Sequence, residues 1–222
     1  MREVVLLKMG EMVLKGLNRA RFEQRLLDNI KYKLALHGLF EIRSMQSTVY
    51  VKPLDECPDM APVFEACSRI FGIAAVCRAF EAEKTLPAVS GAAIALAELK
   101  AAKTFKVEAR RADKRFPMTS PQICAEVGGD VLEALPALTV DVHNPDCVVW
   151  VEIRETHAYV HPAPTPGAGG LPAGTSGKAA LLLSGGIDSP VAGWRMARRG
   201  LELLPVHFFS YPYTSMEARI RC

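Results

Sequence analysis

Ser184-Gly185-Gly186-Ile187-Asp188-Ser189 is the stretch best equipped for chemistry. Two glycines let a ligand approach the backbone closely, and the amides of Gly185, Gly186 and Ile187 are free to point at an anion. The Ser184 and Ser189 hydroxyls can complete such a cradle. Asp188 repels phosphate on its own, so it suits holding Mg²⁺ or orienting the loop. The chemistry is phosphate handling, but not through a Walker A loop, because no Gly-Lys-Ser/Thr follows at the required spacing. Gly177-Lys178 fails as well: Pro172 stands where the first glycine belongs, and the pair precedes the strand.

The flanks supply the elements that must position this loop. Ala179 to Leu183 is a short apolar run, expected as a buried parallel strand. Ser189 followed by Pro190 reads as an N-cap with proline at the first helical position. Val191, Trp194, Met196 and Ala197 continue the helix, Arg195, Arg198 and Arg199 fall in its last turns, and Gly200 is its expected stop. Leu203 to Phe209 reads as the next strand, giving a right-handed βαβ unit.

SGGxDS after a strand resembles the PP-loop of ATP pyrophosphatases. The longer string SGGIDSPVAGW, with GTSGK before it and HFFSYPYTS after it, is similar to the tRNA 4-thiouridine synthetase (tRNA sulfurtransferase) family. The resemblance implies ATP and Mg²⁺ as cofactors, with Ser184, Gly185, Gly186, Ile187, Asp188 and Ser189 around the phosphates and Asp188 in the catalytic role. It also implies that Leu182 and Leu183, with His207 and Phe208 at the end of the next strand, frame adenine. In that family ATP adenylates the O4 of a tRNA uridine. Sulfur from a cysteine desulfurase, carried as a cysteine persulfide, then displaces AMP, and the same family serves thiamine thiazole synthesis.

The 222 residues suit one to two domains, and half are hydrophobic, as in globular proteins. No apolar run reaches membrane-helix length, no signal-peptide pattern opens the chain, and the expected location is the cytoplasm. The six cysteines, at 57, 67, 77, 124, 147 and 222, form no CxxC and have no histidine at zinc spacing. They read as reduced thiols. Net charge is +3, yet Glu98 to Thr119 alone carries seven Lys/Arg against three Asp/Glu. That local excess suggests a phosphate-backbone partner.

Ahead of it, Val4 to Lys8 reads as a strand. Asn18 is expected to cap a helix with Phe22, Leu26, Ile30 and Leu34 at four-residue spacing. Strands follow at Leu39 to Met45 and Thr48 to Lys52, joined at Gln46-Ser47. A helix over Asp59 to Arg69 and a strand over Ile73 to Phe80 complete β-α-β-β-α-β, the ferredoxin-like order. GEMVLKGLNR, followed by Phe22-Glu23, resembles the start of the same family, whose first domain is ferredoxin-like and helps to hold tRNA. Lys15 and Arg19 are phosphate contacts on that reading, and as readily ordinary surface charges.

Ala88 to Lys100 is expected as one alanine-rich helix, and Thr104 to Arg110 alternates as a strand. A basic turn over 111–115 closes on Phe116-Pro117. The helix from Ser120 carries Gly128-Gly129 inside it, at about 1 kcal/mol each relative to alanine. Close packing of another backbone would explain that cost. Val148 to Ile153 and His157 to His161 read as strands. FKVEARRADKRFPMTS resembles the THUMP domain, an RNA-binding module, which implies RNA contacts through Lys106, Arg110, Arg111, Lys114 and Arg115; the physics of a basic turn gripping folded RNA agrees.

The expected organisation is mixed, α+β then α/β. A ferredoxin-like domain spans 1–80 and a THUMP domain 81–162, the THUMP region beginning near 60. With five glycines and four prolines, 162–177 reads as a linker or flexible lid (the linker proper 163–177). An incomplete PP-loop domain spans 178–222. Cys222 is expected to be an ordinary residue at a truncation, and the chain alone to bind tRNA without thiolating it. The implied partners are tRNA and a cysteine desulfurase, with no membrane; homodimerisation stays open. Two other readings stay open too, another PP-loop ligase and an RNA-binding module without catalysis.

Overall fold

The computed structural model describes residues 1–11, 18–54 and 59–208, apart from the Ala97 side chain. Lys15, Cys57, Phe209 and Cys222 lie outside the described residues. No described helix is long and apolar enough to cross a membrane.

Strand β1 (Arg2–Met9) sends Val5 and Leu7 to one face and Val4 and Leu6 to the other, all buried. Helix α1 (Arg19–Leu34) buries Leu26, Ile30 and Leu34, the predicted stripe; Asn18 occupies the N-cap position but makes no side-chain capping bond. Strands β2 (Phe40–Met45) and β3 (Thr48–Pro53) form a hairpin whose turn residues, Gln46 and Ser47, both have positive φ (49° and 64°). Two-residue hairpins favour this twist, although glycine or asparagine adopts it more cheaply. Helix α2 (Met60–Ser68) is capped by the Asp59 carboxylate, which accepts from the Ala61 amide at 2.9 Å. Strand β4 (Ile73–Ala82) ends the ferredoxin-like order.

The stretch expected as one helix is two, α3 (Leu86–Ile94) and α4 (Ala97–Ala101), because Leu96 is extended between them. Strand β5 (Thr104–Arg111) is followed by α5 (Ser120–Ala134). Thr119 is the N-cap of α5, and the Gln122 side chain accepts from its amide at 2.8 Å. Strands β6 (Thr139–Val140), β7 (Cys147–Ile153), β8 (Ala158–His161) and β9 (Thr165–Pro166) follow. The short β6 and β9 have no signal in the sequence.

The two predicted halves share one sheet, in the order β2-β3-β1-β4-β8-β7-β5-β6, with β9 also on β4. The seam is the antiparallel β4–β8 pair, Phe80 opposite Val160 and Glu81 opposite Tyr159. Each half still has its own core. Val5, Leu7, Leu26, Ile30 and Val63 fill one; Phe105, Ile123, Val127, Val149 and Val151 fill the other. The glycine pair in α5 is not explained by a packed backbone. A Cβ on Gly128 would meet only the Val107 side chain, at 4.0 Å, and one on Gly129 nothing within 4 Å.

Residues 163–177 are not a free lid. The Gly167 and Gly169 amides donate to the Ala74 and Ile73 carbonyls, the Leu171 amide to the Arg198 carbonyl, and Leu171 is buried. The segment is a strap laid across the ferredoxin-like half. Beyond it, β10 (Lys178–Leu182), α6 (Asp188–Arg198) and β11 (Glu202–Val206) form the expected βαβ unit, its two strands parallel. Burial departs from expectation: Leu182 is 62% exposed, and Leu204 and Val206 are exposed as well.

Candidate functional site

The loop leaves β10 where Leu183 donates its amide to the Val206 carbonyl, so it opens at the carboxyl end of two parallel strands. Open α/β sheets bind ligands at that edge. Helix α6 begins at Asp188, two residues before the predicted start, with Ile187 at the N-cap position. Ser189 is therefore not a cap. Its hydroxyl faces back into the loop, where it accepts from the Ser184 amide at 3.2 Å and lies 3.4 Å from the Ser184 hydroxyl. The Ser184 hydroxyl in turn accepts from the Gly186 amide at 3.4 Å. These long bonds hold the curve of the loop. A Cβ on Gly185 would meet nothing within 4 Å, so the cradle is open, and Ser184 to Asp188 are exposed. The acidic side chain in the first turn, Asp188, favours the helix by its charge. Among the described residues no cluster of three metal-ligating side chains exists, and Mg²⁺ on one carboxylate plus ligand phosphates needs none.

The residues expected to frame adenine come together in part. His207 Nδ1–H donates to the Leu183 carbonyl at 3.0 Å, which fixes the ring orientation, and its Nε2 is buried without a partner among the described residues. Leu182 and Phe208 are both exposed. Sequence reasoning missed Gly193. A Cβ there would sit 2.5 Å from Leu181 Cδ2, so a glycine in mid-helix lets α6 lie directly on β10.

The unit is fastened to the ferredoxin-like half. Trp194 packs edge-on against Phe71, centroids 5.7 Å apart, and the Arg198 guanidinium lies over the indole at 5.3 Å. Gly200 has φ +92°, a Cβ there would stand 2.5 Å from Thr175 Oγ1 and 2.7 Å from Ser176 Oγ, and the Ser176 hydroxyl donates to the Arg199 carbonyl at 2.9 Å.

The basic turn separates the five predicted RNA contacts. Arg111 is committed inward, its guanidinium donating to the Phe116 and Met118 carbonyls at 3.0 and 3.1 Å. Lys106 pairs with Glu108 at 2.9 Å. Arg115 forks onto Asp113 at 2.9 and 3.1 Å. Hydrogen bonds from Arg115 and Lys84 hold the Asp113 carboxyl well below the usual carboxylate range. Arg110 and Lys114 are exposed and have no carboxylate partner among the described residues. Arg19 donates to the Ser47 hydroxyl at 3.2 Å and lies 3.7 Å from Glu23.

The helix-free face of the long sheet carries a buried ionic network that the sequence did not announce. Glu152 accepts from Lys8 at 2.9 Å and from Arg154 at 2.6 and 3.0 Å, while Arg154 also donates to the Gln46 side chain at 2.7 Å. A second cluster joins Lys52, Glu81 and Tyr159. Burial alone would raise the Glu152 carboxyl; His161, Lys8 and Arg154 outweigh it and hold the group well below its ordinary value. The one legible signal is the alternation of Glu152 and Arg154 with apolar residues, in a strand and just past its end, a period that puts both on one face. Among the described residues no disulfide forms; Cys67, Cys77, Cys124 and Cys147 are free.

Residues 4–77 match the ThiI ferredoxin-like domain, 83–161 the THUMP domain and 174–222 the thiamine biosynthesis protein (ThiI). A probable tRNA sulfurtransferase of Acetivibrio thermocellus is 43% identical over 99% of this chain, and one of Caldanaerobacter subterraneus subsp. tengcongensis is 45% identical over 99%. The chain spans 57% of the length of each. Among solved structures, a 4-thiouridine synthetase–RNA complex with bound ATP superposes with a TM-score of 0.87 at 34% identity, over 99% of this chain and 56% of that one. PH1313 from Pyrococcus horikoshii superposes with a TM-score of 0.84 at 30% identity, over 99% and 72%.

Proposed function

Because this chain belongs to the family of the tRNA sulfurtransferases and the thiamine biosynthesis protein ThiI, we propose that it is the tRNA-holding and ATP-binding part of an enzyme that replaces the O4 of a tRNA uridine with sulfur. The observation that carries the reading is the open loop at the end of β10. The Ser184 and Ser189 hydroxyls and the start of α6 meet there, with the Gly186 amide turned inward onto the Ser184 hydroxyl. ATP supplies the adenylyl group that turns the uridine O4 into a leaving group. Ser184, Gly185, Gly186, Ile187 and Ser189 bind the phosphates. Asp188 holds Mg²⁺ or fixes the loop against them. The Leu183 carbonyl orients His207, and Leu182, Leu183, His207 and Phe208 border the adenine.

Arg110, Lys114 and the outer side of Arg115 meet the RNA backbone by charge and shape, while Arg111 shapes the turn they stand on. Lys106 and Arg19 act as further contacts, shared with their carboxylate partners, and Lys15 as one more. The functional division falls at residues 80, 162 and 177. A cysteine desulfurase supplies the persulfide sulfur in the cytoplasm, and the same transfer serves thiamine thiazole synthesis. ATP–pyrophosphate exchange by the full-length protein with unmodified tRNA tests the reading. Exchange that depends on tRNA supports it, whereas tRNA binding with no exchange would make the protein an RNA-binding module without catalysis.

A further inference from the structure

The strap from 169 to 174 touches two rows of arginines that are far apart in sequence. At its carboxyl end Arg25 of α1 lies against Gly174, 2.9 Å from where a Cβ would stand, and Asn29 donates to the Ala173 carbonyl. Arg21 is one turn before Arg25, on the same side of the helix. At its amino end Arg198 of α6 lies against Gly169 and Gly170. Arg195, Arg198 and Arg199 also line, with Trp194, Met196 and Glu11, a groove of about 370 Å³. Gly170 and Gly174 are four residues apart, so at most about 14 Å of chain separates the rows.

Carboxylate partners are scarce here. Among the described residues Arg21, Arg25, Arg195 and Arg198 have none, and Arg199 has only Glu11, at 3.8 Å with both side chains exposed. In the basic turn, by contrast, Lys106 and Arg115 are paired and Arg111 is spent on carbonyls. The helix dipole accounts for arginines in the last turns of α6, at about 0.3–1 kcal/mol each. It does not account for Arg21 in the first turn of α1, where positive charge opposes the dipole and no acid is present, nor for Arg25 in the next turn, beyond the dipole's reach.

We propose that this arginine belt is a second RNA-backbone surface, separate from the basic turn, which carries phosphates of the tRNA across the junction between the ferredoxin-like half and the βαβ unit. Guanidinium groups suit phosphodiesters because their forked donors match two oxygens at once. The assignment rests on tRNA being the partner.

The test is a titration of unmodified tRNA transcript by fluorescence anisotropy at several salt concentrations. It compares the wild-type chain with Arg195→Ala/Arg199→Ala, with Arg21→Ala/Arg25→Ala, and with the lysine version of each pair. Each alanine pair is expected to lower the log–log salt slope by up to ~1.4–1.8, at ~0.7–0.9 per lost phosphate contact. The lysine versions, which keep the charge, are expected to retain most of the slope. Slopes equal to wild type in both alanine pairs would overturn the belt and leave tRNA as the partner. A wild-type chain with no salt-dependent tRNA binding would instead remove the tRNA reading itself.

Discussion

The long sheet and the βαβ unit start from similar sequence and end differently. Val4-Val5-Leu6-Leu7 and Ala180-Leu181-Leu182 are both short apolar runs, yet the first is wholly buried while Leu182 is 62% exposed. Central strands of the sheet have neighbours on both edges, with helices on one face and an ionic network on the other. Strands β10 and β11 have one described neighbour each and α6 on one face. An apolar run thus states a capacity for burial, and its partners decide how much is realised. The difference also divides labour: the sheet is a settled frame, and the unit hangs its exposed loop from it through Trp194, the strap and Gly200.

If that contrast is right, a cavity in the frame costs more than a cavity at the fastening. Phe105→Ala is expected to destabilise the sheet by about 3–5 kcal/mol, because Phe105 is fully buried among aliphatic neighbours. Trp194→Ala, which empties a half-exposed site, is expected to cost about 1–2 kcal/mol. Urea denaturation of both variants checks this, and equal losses would break the contrast.

The next effect is on the network face. Burial alone would lower the His161 pKa, but the Cys77 thiol and the Glu152 carboxylate, the latter 3.7 Å away, raise it to about 9, against the Lys8 and Arg154 cations that share Glu152. The folded value lies above the ordinary 6.5, so this stabilisation is complete below about pH 6.5 and is lost as pH rises through about 9. The loss is expected to reach up to about 3 kcal/mol. Melting temperature against pH measures it, and in His161→Gln the decline over that window should flatten. An unchanged decline would place the titrating group elsewhere.

Within the basic turn, two neighbouring arginines should separate. Arg111→Ala removes two hydrogen bonds from a charged donor and is expected to cost about 1.5–3 kcal/mol. Arg110→Ala should change stability by no more than about 0.5 kcal/mol and lower the tRNA salt slope by up to ~0.7–0.9. The reverse pattern would mean that Arg110 shapes the turn and Arg111 meets the RNA.

Much of this was legible in the sequence, and the rest was hidden for physical reasons. The four-residue spacing of Leu26, Ile30 and Leu34 and the alternation around Phe105 are local signals, and the structure follows them. Fusion of the two halves through β4 and β8 is a long-range pairing that no local pattern specifies. Ser189 followed by Pro190 looked like a cap, but the helix starts at Asp188 and leaves proline within the first turn, where no backbone bond is lost. Counting charge over one window found the basic turn. It could not find the arginine belt, which two distant helices assemble, nor the pairing that neutralises Lys106 and Arg115.

The central claim is that the open loop handles ATP for sulfur transfer to tRNA and that Asp188 acts in the chemistry more than in binding. It is tested most directly by 4-thiouridine formation in the full-length protein, wild type against Asp188→Ala, with ATP, Mg²⁺, a cysteine desulfurase, cysteine and unmodified tRNA. The account predicts 4-thiouridine from the wild type. In the variant it predicts turnover lower by at least ~10²-fold and ATP affinity within about tenfold. Wild-type rates in Asp188→Ala, or no 4-thiouridine from the wild type, would contradict it.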